Sequence, residues 1–135
     1  MVNSNMGNLV AVYGSLKQGF HNHKLINPEQ NNSLFVGRGY TIDRFIMYSL
    51  GSYPAISREG EGNLIDVEVY DVDDLCLLYL DMLEGHPKYY ERKQVTISMY
   101  DTTLSDITAW IYILPGSRVF PRVMADDNEV VSWTV

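Results

Sequence analysis

Two stretches of this chain carry groups able to handle a small polar substrate. In Leu80-Asp81-Met82-Leu83-Glu84-Gly85 an acid closes an otherwise apolar segment. On a helix, Leu77, Leu80, Asp81 and Glu84 fall at i, i+3, i+4 and i+7, along one stripe. With Leu77 and Leu80 turned to the interior, Glu84 is carried inward as well. Partial burial raises a carboxylate pKa, and so does a place in the last turn, where the helix dipole opposes negative charge. A carboxyl raised in this way can take and return a proton near neutral pH. The same spacing also accommodates a Glu84 that reaches solvent beside Gly85.

The other stretch is Tyr13-Gly14-Ser15-Leu16-Lys17, which follows the apolar run 9–13 and precedes Asn22-His23. A strand that ends in Gly and turns at once into a capped helical turn points several backbone N–H groups one way. Such orphan donors form an anion site that suits a carboxylate as well as a phosphate. Gly14 lets a ligand approach the backbone closely. A nucleotide is a poor fit, because Gly14-Ser15-Leu16-Lys17-Gln18-Gly19 lacks Walker spacing. A plain strand-to-helix turn has the same local sequence.

Together the two stretches resemble the γ-glutamyl cyclotransferase superfamily, which includes the AIG2-like proteins. Its Tyr-Gly-Ser/Thr-Leu is matched by Tyr13, Gly14, Ser15 and Leu16, and its Leu-Asp-x-x-Glu-Gly by residues 80–85. The resemblance implies that the backbone of Gly14 to Leu16 holds a glutamyl moiety and that Glu84 is the catalytic acid and base. The reaction it implies is attack of a substrate's own α-amino group on its γ-carbonyl, releasing 5-oxoproline and an amine. It implies no metal and no cofactor. Lys17, Gly19, Asn22 and His23 look more like the γ-glutamylamine branch than the glutathione-related ones.

Further residues follow from the same resemblance. Tyr89-Tyr90-Glu91-Arg92 matches an aromatic after the Glu-Gly turn that walls the pocket, so Tyr90 or Tyr89 is expected to contact substrate. Gly51-Ser52-Tyr53-Pro54-Ala55 resembles a loop facing the first motif, which brings Tyr53 to the pocket. Tyr112, in the middle of a late strand, is expected to reach the site, or else to be a buried tyrosine bonded to backbone. Asp81 reads as structural, bonding a backbone group or an arginine. His23 and Asn22 read as supports for the Tyr13 loop. His21 and His23 without a second ligand pair do not make a zinc site. Cys76 reads as a small core residue, and Asp126-Asp127 as a solvated turn. A second reading, from another class, is a non-catalytic small-molecule-binding or protein-interaction domain that keeps the pocket. Glu84 speaks against it, since a pure binder has no use for a destabilised acid.

The elements that must position these residues are many short strands and one good helix. Strands are expected at 9–13, 33–40, 45–49, 55–57, 64–70, 91–100 and 107–114, with an edge strand near 130–133. Asp73-Asp74 opens a helix at 74–84, which Gly85 ends and Pro87 cannot continue. Ser15 through Gln18 has capping-box spacing and predicts a helical turn running toward Ile26, weakened by Gly19. The class is α+β. The resemblance adds that the sheet, mixed or mainly antiparallel, curls into a small barrel.

Composition narrows the classes of function. A chain of 135 residues, 46% hydrophobic, is expected to form one domain over 1–135 with a proper core. The net charge of −7 and the scattered Lys and Arg argue against nucleic acid. No run approaches the length that spans a bilayer, and residues 1–5 lack a basic, apolar leader, so no membrane partner is expected. A single cysteine fits a reducing compartment, and the cytoplasm is the expected location. The sequence names no protein partner beyond a small γ-glutamyl substrate.

Overall fold

The computed structural model describes residues 7–29, 31–57, 59–115, 120–125 and 129–134. Residues 1–5 and the Asp126-Asp127 pair, read above from sequence, lie outside these. In chain order the elements are β1 (Asn8–Val12), a 3₁₀ turn (His23–Leu25), β2 (Ser33–Thr41), β3 (Ile46–Ser49), β4 (Pro54–Ser57), β5 (Leu64–Val72), α1 (Asp74–Glu84), β6 (Glu91–Met99), β7 (Ile107–Ile113) and β8 (Val130–Val131).

Five strands close on themselves in the order β1-β7-β6-β2-β5, because β1 pairs with β5 on one edge and with β7 on the other. The β1–β7 contact is parallel, Val10 opposite Trp110, while the other four ladders of the barrel are antiparallel. The sheet is therefore mixed. β8 adds to β5 in parallel, and β3 and β4 form a separate hairpin. A register shift between Phe35 and Gly37 bends β2 against β5, the kind of irregularity that helps a sheet curl.

Side chains on a strand alternate between faces, so a strand buried on both reads as one apolar run. That is the state of β1. Ala11 and Tyr13 join one core cluster with Val67, Val69, Ile97 and Ile111, whereas Val10 and Val12 join another with Tyr70, Leu80 and Tyr112. The second cluster lies under α1. β6 buries only Val95, Ile97 and Met99 on alternate positions, and its other face is polar.

α1 has the bounds its sequence predicts. The Asp73 carboxylate accepts from the Cys76 N–H at 2.8 Å, and Gly85 closes the helix at φ 67°, a conformation glycine takes without strain. Cys76 is buried, and burial raises its thiol pKa to about 11. The expected helical turn from Ser15 toward Ile26 is much shorter. Only His23–Leu25 is helical, and it is 3₁₀. Ser15 does not cap it: its hydroxyl accepts from Asn22 Nδ2 at 3.0 Å, Gln18 N–H donates to Glu68 instead, and Gly19 stands at φ 88°. The late edge strand is also shorter than 130–133, stopping at Val131.

Candidate active site

The end of β1 and the end of α1 meet across a small chamber. Tyr13 enters it from β1, its hydroxyl donating to Tyr112 O at 2.7 Å and accepting from Ile56 N–H at 3.3 Å. Gly14 follows, and the Pro54 ring presses on it. A Cβ at Gly14 would lie 2.7 Å from Pro54 Cδ and 2.8 Å from Cγ. The space beside Gly14 thus admits the facing loop, which brings Tyr53 alongside.

The turn is stiffened from behind. Lys17 N–H donates to Gly14 O, and Asn22 N–H to Ser15 O. His23 Nδ1 lies 2.9 Å from Leu16 O, a contact that requires the proton on that nitrogen. Asn22 and His23 therefore brace the Tyr13 loop, as their sequence positions suggest. The N–H groups of Gly14, Ser15 and Leu16 themselves donate to no other group among the described residues. They remain available to an acceptor in the chamber that these residues line.

Glu84 faces this row from the last turn of α1. Its carboxylate accepts no hydrogen bond and forms no ion pair among the described residues, although it lines the chamber. Burial raises its pKa from 4.5 to about 7. The physical cause is desolvation: the charged form has lost part of its water and found no donor among the described residues. The three tyrosines around it are held neutral in the same way. Burial is the first cause of the raised pKa of Tyr13, of Tyr90 and of Tyr112, and the Glu84 charge adds to each.

The remaining hydroxyls are committed. Tyr90 donates to Pro54 O at 2.9 Å, fastening the facing loop. Tyr112 donates to Asp81 Oδ1 at 2.7 Å. Asp81 also receives Arg92 in two-pronged fashion, Nε at 2.8 Å and an outer nitrogen at 3.0 Å, and the guanidinium lies 4.2 Å from the Trp110 ring. So Asp81 is a fully partnered acid and Glu84 an unpartnered one. That division is what proton transfer chemistry uses.

All eight residues singled out from sequence (Tyr13, Gly14, Ser15, Leu16, Tyr53, Glu84, Tyr90 and Tyr112) line this one chamber of about 40 Å³. Tyr90, rather than Tyr89, is its wall. Tyr89 stands outside, on a wider recess. Pro54, within the loop expected to face the first motif, is also a wall, whereas the Arg92–Trp110 stack behind Asp81 was missed. No group of three His, Cys, Asp or Glu side chains that could hold a metal ion occurs among the described residues. None of their helices is long and apolar enough to cross a membrane.

A closed, mixed barrel with one carboxyl aimed at a Gly-Ser-Leu turn defines a known class. Residues 10–133 match the family described as gamma-glutamyl cyclotransferase, AIG2-like, and the chain belongs to that family. It is a cyclotransferase-type enzyme. A Methanocaldococcus jannaschii protein that bears the name gamma-glutamylcyclotransferase provisionally is 42% identical over 108 residues, covering 80% of this chain and 85% of its own length. The gamma-glutamylaminecyclotransferase of Rattus norvegicus is 31% identical over 96 residues, 68% of this chain and 64% of that protein. Among solved structures, an AIG2-like protein of Mus musculus superposes with a TM-score of 0.78 at 26% identity, covering 91% of this chain and 89% of that one.

Proposed function

We propose that the chain, acting as one domain over 1–135, converts a γ-glutamyl amine to 5-oxoproline and the free amine, with Glu84 as the group that moves the protons. The observation that carries this reading is the unpartnered, half-buried Glu84 carboxyl lining one chamber with three uncommitted N–H groups. The N–H groups of Gly14, Ser15 and Leu16 bind the substrate's α-carboxylate, as charge-assisted acceptors prefer. This folds the glutamyl chain so that its α-nitrogen and γ-carbonyl carbon approach each other. Proximity of that kind supplies most of what a five-membered ring closure requires.

Ionised Glu84 takes a proton from the α-ammonium, and the freed amine attacks the γ-carbonyl carbon. The tetrahedral adduct gives up a second proton from the same nitrogen as it collapses. The γ-carbon–nitrogen bond to the leaving amine breaks, and both protons end on that amine, Glu84 acting as their carrier. An ammonium enters and an ammonium leaves, and water is neither consumed nor formed. The Tyr13–Lys17 motif with Asn22 and His23 favours a γ-glutamylamine over glutathione as substrate.

The test is 5-oxoproline measured by mass spectrometry after incubation with γ-glutamyl amines, γ-glutamyl dipeptides and glutathione. Glu84→Gln is expected to lower kcat by about 10²–10⁴-fold, the range of a lost general acid–base group. Because the base form is the ionised one, kcat/KM of the native protein should climb as pH rises through about 7. No 5-oxoproline from any member of the panel would overturn the reading.

A further inference from the structure

The small chamber opens into a second recess of about 280 Å³, and the two share Ser15, Tyr53, Glu84 and Tyr90. If the glutamyl head occupies the inner chamber, the amine it carries must pass Glu84 and lie in the outer recess. The chemistry of the recess walls therefore bears on which amine leaves. This inference rests on the proposed reaction and extends it to the leaving group.

Three of its nine lining residues are tyrosines. Tyr89 and Tyr90 meet edge to face, with ring centroids 5.1 Å apart and planes at 88°, and Tyr53 joins them from the facing loop. Leu83, on α1 next to Glu84, supplies an aliphatic wall. Tyr53 and Tyr89 each keep 37% of their surface exposed and Leu83 keeps 43%, so apolar area is left open at the mouth. The polar groups of the rim are neutral hydroxyls, the Asn22 amide and the His21 ring. Among the described residues no lysine or arginine lines the recess, and its one acid is Glu84.

A leaving amine that ends in a carboxylate finds no lysine or arginine among the described lining residues to replace its lost water, and burying an unpaired charge is costly. An amine with a flat apolar body finds three rings to stack against and an aliphatic face, and a polar tip on that body finds the rim. We propose that the outer recess is the leaving-amine subsite and that Tyr89, Tyr53 and Leu83 make it select an amine of the arylethylamine class over one bearing a carboxylate.

The experiment compares two amides with the same glutamyl head, γ-glutamyl-tyramide and γ-glutamylglycine, by 5-oxoproline formation and by calorimetric binding to Glu84→Gln. The expected result is kcat/KM and affinity about tenfold higher for the tyramide, the worth of one or two aromatic contacts. In Tyr89→Ala, and independently in Leu83→Ala on the helix side, the tyramide-to-glycine ratio should fall toward one. Tyr89→Phe should keep it. Turnover of both amides at similar efficiency, or a ratio untouched by both alanine variants, overturns the subsite and leaves the reaction standing. Tighter binding of the tyramide with no 5-oxoproline from either amide upholds the subsite and overturns the reaction.

Discussion

An ionised Glu84 has lost part of its water on entering the chamber and receives no hydrogen bond or cation from the described residues in exchange. Its folded pKa, about 7, stands above the ordinary 4.5. Between those values the folded chain holds a proton that the unfolded chain has released. Stability is therefore fullest below about 4.5 and declines as pH rises through about 7. Glutamine keeps the shape and cannot ionise. Glu84→Gln is thus expected to unfold at a higher temperature than the native protein at pH 8, with the gap closing toward pH 4.5. Thermal scans at the two pH values measure it, and a variant no more stable at pH 8 than at pH 4.5, relative to native, would refute the burial argument. The spacing of Glu84 to Leu77 and Leu80 pointed it inward while leaving a solvent-reaching side chain open. The facing of Pro54 onto Gly14 came from the resemblance, because local pattern does not encode contact between stretches far apart in the chain.

At the scale of elements, α1 is held to the barrel by its buried Leu80 and by the Asp81–Arg92 pair, whose side chains are only 16% and 17% exposed. Taking away one partner of a mostly buried pair leaves the other charge stranded, at a cost of about 3–5 kcal/mol. Arg92→Met should lower stability by up to about that amount in chemical denaturation. It should also weaken activity, since Tyr112 and the last turn of α1 share Asp81 as their tie. A loss below about 1 kcal/mol would mean the pair is no more than a surface salt bridge. The helix bounds were legible because Asp73, Asp74 and Gly85 punctuate them. Which face turned inward was harder to read from hydrophobicity alone, since Leu75, Leu78, Tyr79 and Met82 are apolar and exposed on the outer side. Strand positions were legible to within a residue or two, except where β8 stops short. Barrel closure was not, because it is a pairing of β1 with β7 that no local pattern encodes. It came from the family resemblance. The overestimated helical turn after Ser15 failed for a related reason: the Asn22 and Glu68 contacts that displaced its capping are tertiary.

Across the whole molecule, Lys17 joins the first motif to the last strand segment. It is buried, with its ammonium donating to Trp133 O at 2.8 Å and Ser132 Oγ at 3.4 Å and lying 5.2 Å from the centre of the Phe20 ring. Burial lowers its pKa, and the Asp66 and Glu68 charges oppose that fall. Lys17→Met retains the apolar stem and removes the tie. Amide hydrogen exchange at 131–134 should then accelerate, and KM should rise more than kcat falls, because the Gly14–Leu16 turn loses an anchor without losing Glu84. Unchanged exchange in that segment would show that β8 holds without the lysine.

The place of β1 between β5 and β7 also sets an order of events while the protein is being made. Residues 8–12 leave the ribosome before either of their partners, and one edge finds its own once 68–72 have followed. The other edge waits for Trp110, a hundred residues behind Val10. Until then a nascent chain carries an apolar strand with an open edge, which is a template for pairing with any neighbouring polypeptide. The window in which β1 is most exposed to aggregation thus lasts until β7 is made, and it closes with the same strand that delivers Tyr112.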